Sequence, residues 1–249
     1  MRLAAPSFVL PGTVAENARF LAGRVEEVAL CCFETAACLA YTAADLPPDL
    51  ARLPLRWHLH LPVDLPWKEG GHAAAGAALA VWDRVAYLGP HLAVLHPPPG
   101  ADGPETAAAH ALAAFADRWR RSGAPQLLLE NIRGCELTRL GAAFLDRHGL
   151  GVCLDVGHLL GYAQASLLAS ELPERARLIH WSAPGDRPGH DRHLPLDAFT
   201  QEQRAVAQAL LWRFSPEAVH LTEVFDWAGV AASRRYLAEL AAHAAPRAR

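Results

Sequence analysis

The chain has 249 residues, 52% of them hydrophobic, with a net charge of −3 and 13 histidines. That length buries one large core and is ordinary for one α/β barrel, so a single domain over residues 1–249 is expected. No run of Lys or Arg is dense enough to neutralise several backbone phosphates, so duplex DNA is not an expected partner; the N-terminus MRLAAPSFVLPG lacks a long apolar span or a secretory signal, which predicts a cytoplasmic protein without membrane contact.

From end to end, short apolar runs alternate with Ala/Leu/Arg-rich stretches of helical period, the pattern of repeated βα units on a parallel sheet. Strands are predicted at 2–10, 27–33, 56–61, 92–96, 127–130, 151–155, 177–180 and 218–223. Helices are predicted at 14–21, 73–87, 105–121, 135–147, 159–170, 201–212 and 230–243, with a short or irregular one in the Pro-broken segment after the second strand. Eight strands with interleaved helices close most simply as an α/β fold of the (β/α)8 TIM barrel type. An open doubly wound sheet is the competitor, but its Gly-rich phosphate turn is missing after the first strand, which reads APSFVLPG.

The five cysteines, Cys31, Cys32, Cys38, Cys135 and Cys153, are odd in number and form no CxxC pair. They read as reduced, buried thiols rather than as a disulfide framework or a thiolate zinc site.

In such a barrel the C-terminal strand ends build the active face, so the last residue of each strand is the informative one. Those residues are His60, His96, Glu130, Asp155, His180 and Glu223. A lone buried His or Asp is usually a hydrogen-bonded structural group, but runs reading LLLE, VCLD and RLIH place a strong metal ligand at the end of strand after strand. Asp155-Val-Gly-His158 adds a histidine one turn on, and Asp191-Arg-His193 adds two groups in the loop after the seventh strand. Nine imidazoles and carboxylates exceed what one catalytic zinc takes, so two or three divalent ions are implied, zinc before manganese or iron. His58 points the same way as His60 one layer deeper and stays outside the set, as do His72, His110, His148 and His243. His190 is a solvated loop histidine or a substitute ligand, and His220 belongs to the core or supports the ligands.

With these residues the chain resembles the endonuclease IV-like (AP endonuclease family 2) members of the xylose-isomerase-like barrel superfamily, over nearly its whole length. The resemblance implies that Glu130 bridges two metals, that His60 and His96 complete one, that Asp155, His180 and Glu223 complete the second, and that His158, Asp191 and His193 hold a third. Within the superfamily, LAAPSFVLPG and RWHLHLPVDLPW resemble the cobamide-remodelling phosphodiesterases. That resemblance implies hydrolysis of the nucleotide-loop phosphodiester of a cobalamin-type corrinoid, with Glu130 and Glu223 as catalytic carboxylates and the corrinoid as substrate.

Trp67, Trp181 and Trp227 fall just past strand ends, where their faces either pack against a large flat substrate or cap the barrel core. Arg133 is either a third catalytic residue, reaching a phosphate oxygen, or an exposed loop arginine. Two rival functions stay open. A sugar isomerase or epimerase needs one metal, which Glu130, Asp155, His180 and Glu223 satisfy; an abasic-site endonuclease needs a basic, DNA-gripping loop that is not found.

Overall fold

In each strand, alternate side chains go to opposite destinations, which is why both sets are apolar. Ala4, Ala29, Val94, Leu128, Cys153, Leu178 and Leu221 fill the barrel interior, whereas Val28, Leu30, Leu59, Leu95, Leu129, Leu154 and Ile179 pack outward against the helices. The computed structural model describes residues 1–185, 189 and 192–242. In it, β1 (Arg2–Pro6), β2 (Glu27–Cys31), β3 (Arg56–His60), β4 (Leu92–Leu95), β5 (Gln126–Glu130), β6 (Gly151–Asp155), β7 (Ala176–Trp181) and β8 (Val219–Thr222) form a closed barrel in sequence order. Every neighbouring pair is parallel, including β1 with β8. This is the expected (β/α)8 barrel.

The helices are α1 (Val14–Leu21), α2 (Thr35–Leu39), α3 (Gly71–Val85), α4 (Ala107–Arg121), α5 (Leu137–Leu140), α6 (Ala142–His148), α7 (Val156–Gly161), α8 (Ala165–Ala169), α9 (Leu172–Arg175), α10 (Gln201–Arg213) and α11 (Trp227–Ala242). Three differences from the predicted elements have local causes. First, β1 ends at Pro6 rather than at residue 10, because Pro6 is followed by a loop whose Val9 and Leu10 N–H groups donate to the buried Asn17 side chain instead of to a ladder. Second, the helix predicted at 135–147 splits at Gly141, where φ is +78°. Third, the helix predicted at 159–170 starts at Val156, since the Asp155 carboxylate accepts the His158 N–H at 2.6 Å as an N-cap, and it breaks around Ala163, where φ is 51°.

Polar groups that end the strands complete the interior. At the opposite, N-terminal end of the barrel the buried Glu27 carboxylate accepts from His58 Nδ1 at 2.7 Å and from His91 Nε2 at 2.9 Å, tying together β2, β3 and the approach to β4. His58 thus shares the inward direction of His60 and serves the barrel floor.

Candidate metal centre

Glu130, the last residue of β5, lies at the middle of the C-terminal mouth. Its Oε2 is 3.1 Å from His60 Nε2 on β3 and 3.3 Å from His96 Nε2 just past β4, and its Oε1 is 3.2 Å from His158 Nδ1. His180, the inward residue near the end of β7, sets Nδ1 3.0 Å from Glu223 Oε2 and 3.7 Å from both Glu130 Oε2 and Asp155 Oδ2. Two sets of ligand atoms that lie within 4.8 Å of one another therefore share Glu130: His60, His96 and Glu130, and Glu130, Asp155, His180 and Glu223. His96 ends its segment because Pro97, Pro98 and Pro99 follow and cannot continue a ladder.

The donor chemistry of these residues suits divalent ions. Asp155 Oδ2, both ring nitrogens of His180 and Glu223 Oε2 are buried without a hydrogen-bond partner, an arrangement that is costly unless another group takes up those lone pairs. The His60 Nδ1–H donates to the Leu61 carbonyl at 3.0 Å, so Nε2 is left facing Glu130, the tautomer a ligating imidazole requires. His158 Nδ1 likewise donates to the Asn131 carbonyl at 2.9 Å.

Burial opposes ionisation of Glu130, yet His96, His180 and His158 outweigh it and hold the carboxyl well below the usual range. Burial is opposed in the same way at Glu223, whose carboxyl His180 brings low. At Asp155 burial prevails, with help from Glu223 and Glu130, and its carboxyl rises well above the usual range. Three buried carboxylates crowd one another here, which positive charge would relieve. Cys153 lies beside Glu130 and His180, but burial pushes its thiol up to about 12, so it is a neutral SH near pH 7. All five cysteines are buried and free.

His193 sits in a left-handed conformation with φ 45°, its Nδ1 3.8 Å from Glu223 Oε2 and its ring centroid 6.1 Å from that of His158. Asp191 and His190 lie outside the described residues, and so does His243. Among the described residues, His158 and His193 do not form a third close ligand set. Arg133 is exposed on the loop after β5, and its Nη1 donates to the Gly189 carbonyl at 3.5 Å.

The tryptophans stand differently from the expectation of a common aromatic mouth. Trp181 is fully buried: His180 points into the barrel, so its neighbour points outward, where Trp181 Nε1–H donates to His220 Nδ1 at 3.0 Å and the ring meets Phe214. It is a core residue and cannot meet a substrate. Trp227 packs edge-on against Phe20, and Trp67 lies against Phe115 with centroids 5.1 Å apart. Trp67 also lines a cavity of about 750 Å³ with Pro66, Pro98 and Pro99.

Sequence reasoning missed Asn131 and Gln164. Asn131 is buried, accepts the Asp155 N–H at 2.7 Å, and donates to the Asp155 carbonyl and to Gln164 Oε1, thereby clamping the end of β6 to that of β5. It also missed Phe33 and Phe225, whose rings stand beside His60 and His193. The only available signal was adjacency: Asn131 follows Glu130, and Phe225 follows Glu223 by two residues.

No protein-family model matches the chain, and no curated protein matches it in sequence. Solved structures do. The TTHB071 protein from Thermus thermophilus, soaked with ZnCl2, is 25% identical over 98% of this chain and 99% of its own, with a TM-score of 0.66. Endonuclease IV from the same organism gives 0.68 at 18% identity over 98% and 100% of the two chains. A D-tagatose 3-epimerase-like protein gives 0.67 at 16% identity over 97% of each, and xylose isomerase domain proteins give similar superpositions. In fold, the chain is a (β/α)8 barrel similar to these structures.

Proposed function

We propose that the chain is a metal-dependent phosphodiesterase, holding two or three divalent ions, zinc before manganese or iron, and acting on the nucleotide-loop phosphodiester of a cobalamin-type corrinoid. The observation that carries this reading is the surplus of ligands on Glu130: His60 and His96 approach its Oε2 in addition to the set formed with Asp155, His180 and Glu223. A single-metal site has no use for them. Divalent cations held by these groups would supply the positive charge that offsets a phosphodiester anion and polarises it toward attack.

The chain's own groups have distinct tasks. Glu130 joins the two ligand sets. Glu223 and Asp155 hold His180 between them, and Asn131 fixes Asp155 from behind. His158, Asp191 and His193 are assigned to a third ion, and Arg133, on the loop after β5, to a non-bridging phosphate oxygen. Corrinoid specificity draws on the segments around Ala5 and His60; the chain's weak basic character speaks against a duplex DNA substrate.

A second reading keeps its own support. Glu130, Asp155, His180 and Glu223 form a complete four-ligand set, which a one-metal sugar epimerase would use with its two glutamates as proton carriers.

The test counts metal per chain by plasma mass spectrometry after zinc loading, then incubates the protein with cobalamin, an abasic-site duplex and D-allulose and identifies products by mass. Two or three ions, with cobinamide phosphate released from cobalamin, are expected. In Glu130→Gln that turnover should fall by more than about 100-fold while the circular dichroism spectrum is retained. One ion per chain, with epimerised sugar, overturns the reading in favour of the epimerase; cleavage of the duplex alone replaces the corrinoid.

A further inference from the structure

The ligands of the metal centre come from β3, β4, β5, β6, β7 and β8, and β1 and β2 contribute none: those two strands run out into Ser7-Phe8 and Cys32-Phe33. Over this gap the mouth is apolar. Phe33, just past β2, sets its ring edge-on to His60 with centroids 5.8 Å apart and to Phe225 at 5.7 Å. Phe225 in turn meets the His193 ring at 5.3 Å.

Phe225 is 38% exposed, Leu10 38% and Val63 49%, and they are three of the five large hydrophobic side chains that are exposed among the described residues. All three stand on loops after β8, β1 and β3. Backbone hydrogen bonds tie the loop after β3 to that after β2, from Val63 N–H to the Phe33 carbonyl, and the loop after β8 to that after β1, from Trp227 N–H to the Val9 carbonyl. Exposed apolar side chains cost hydration free energy, and Phe225 stands exposed directly beside the His193 ring.

We infer that Phe33 and Phe225 form the seat for a broad, flat, apolar part of the substrate, placed one ring's breadth from the metal centre. This rests on the phosphodiesterase reading and narrows it: the site takes phosphate esters whose phosphate lies close to an extended apolar plane, and discriminates against small, wholly polar esters. The occupant is a small molecule because the sector is continuous with the centre through the His60 and His193 rings, within reach of a ligand held there. Trp67, Trp181 and Trp227 are not part of this seat. Phe33 and Phe225 act on specificity alone, through contact area and ring stacking.

The test is an equilibrium one, independent of turnover. Zinc-loaded protein is titrated by calorimetry with 1-naphthyl phosphate and with methyl phosphate, and the ratio of their affinities is compared in wild type, Phe225→Ala, Phe225→Leu and Phe33→Leu. Wild type should prefer the naphthyl ester by at least about tenfold. Phe225→Ala should remove most of that preference, Phe225→Leu and Phe33→Leu part of it, with zinc content and methyl phosphate affinity unchanged. Equal affinities in wild type, or a preference that survives in every variant, overturns the proposal. Self-association that Phe225→Ala abolishes, without naphthyl selectivity in wild type, overturns it too and assigns the sector to a second copy of the chain. Selectivity without phosphodiester hydrolysis would retain the seat and sink only the reaction assigned above.

Discussion

Trp181 and His220 show how a one-residue phase decides a side chain's role. Inward His180 is a candidate ligand; outward Trp181 donates its indole N–H to His220 Nδ1, which must therefore be unprotonated. Burial lowers the His220 pKa to about 4 from 6.5. Between those values the unfolded chain binds a proton that the folded chain refuses, so stability is lost as pH falls through the window from about 6.5 to 4. The full effect is on the order of 3 kcal/mol. In urea titrations at about pH 7 and pH 5, His220→Gln, which keeps an acceptor for the indole, should lose about 2 kcal/mol less than wild type on acidification. Parallel losses in the two proteins would refute this account of His220.

At the scale of elements, caps and close approaches set where the ligands stand. The Asp155 carboxylate both closes the first turn of α7 and contributes to the ligand set, so the Asp-x-x-His spacing delivers His158 to Glu130 by capping geometry. The packing of α3 on α4 depends on Gly71: a Cβ there would lie 1.8 Å from the Ala111 carbonyl oxygen, inside the backbone of α4. Gly71→Ala should therefore destabilise the protein by about 1–3 kcal/mol or more despite the higher helix propensity of alanine. A chemical denaturation curve unchanged from wild type would count against so tight an approach. The loops after β3 and β4, the first following His60 and the second beginning at His96, lead into these helices, so zinc stoichiometry of that variant is a useful second reading.

For the whole molecule, the barrel brings Glu130, Asp155 and Glu223 together with four imidazoles, those of His60, His96, His158 and His180, so a divalent ion held there would link its occupancy to stability. Ions that bind the folded chain and not the unfolded one stabilise it by roughly 4 kcal/mol at a free concentration about 1,000-fold above Kd. For a chain of this size that corresponds to about 10 °C in thermal midpoint. Zinc loading should raise the midpoint by that order, EDTA should reverse it, and Glu130→Gln should abolish most of the gain. A midpoint indifferent to zinc and EDTA would show that these ligand sets hold no ion.

Much of this was legible in the chain by itself. Alternating apolar runs and helical stretches call for a parallel sheet covered on both faces, the missing Gly-rich turn after the first strand favours the closed barrel over the open sheet, and the strand-end rule then names His60, Glu130, Asp155 and His180 as neighbours in space. What the linear order could not decide was the phase of residues one step past a strand end, the meeting of aromatic rings at the mouth, and the buried clamps between loops. Trp181 turns away because its neighbour turns in; Phe33 and Phe225, from opposite ends of the chain, meet only because β8 closes against β1 and β1 against β2. Asn131 finds Asp155 only once β5 and β6 are paired. Local periodicity determines which face a strand residue occupies, whereas loop residues take their positions from whatever the closed barrel sets beside them.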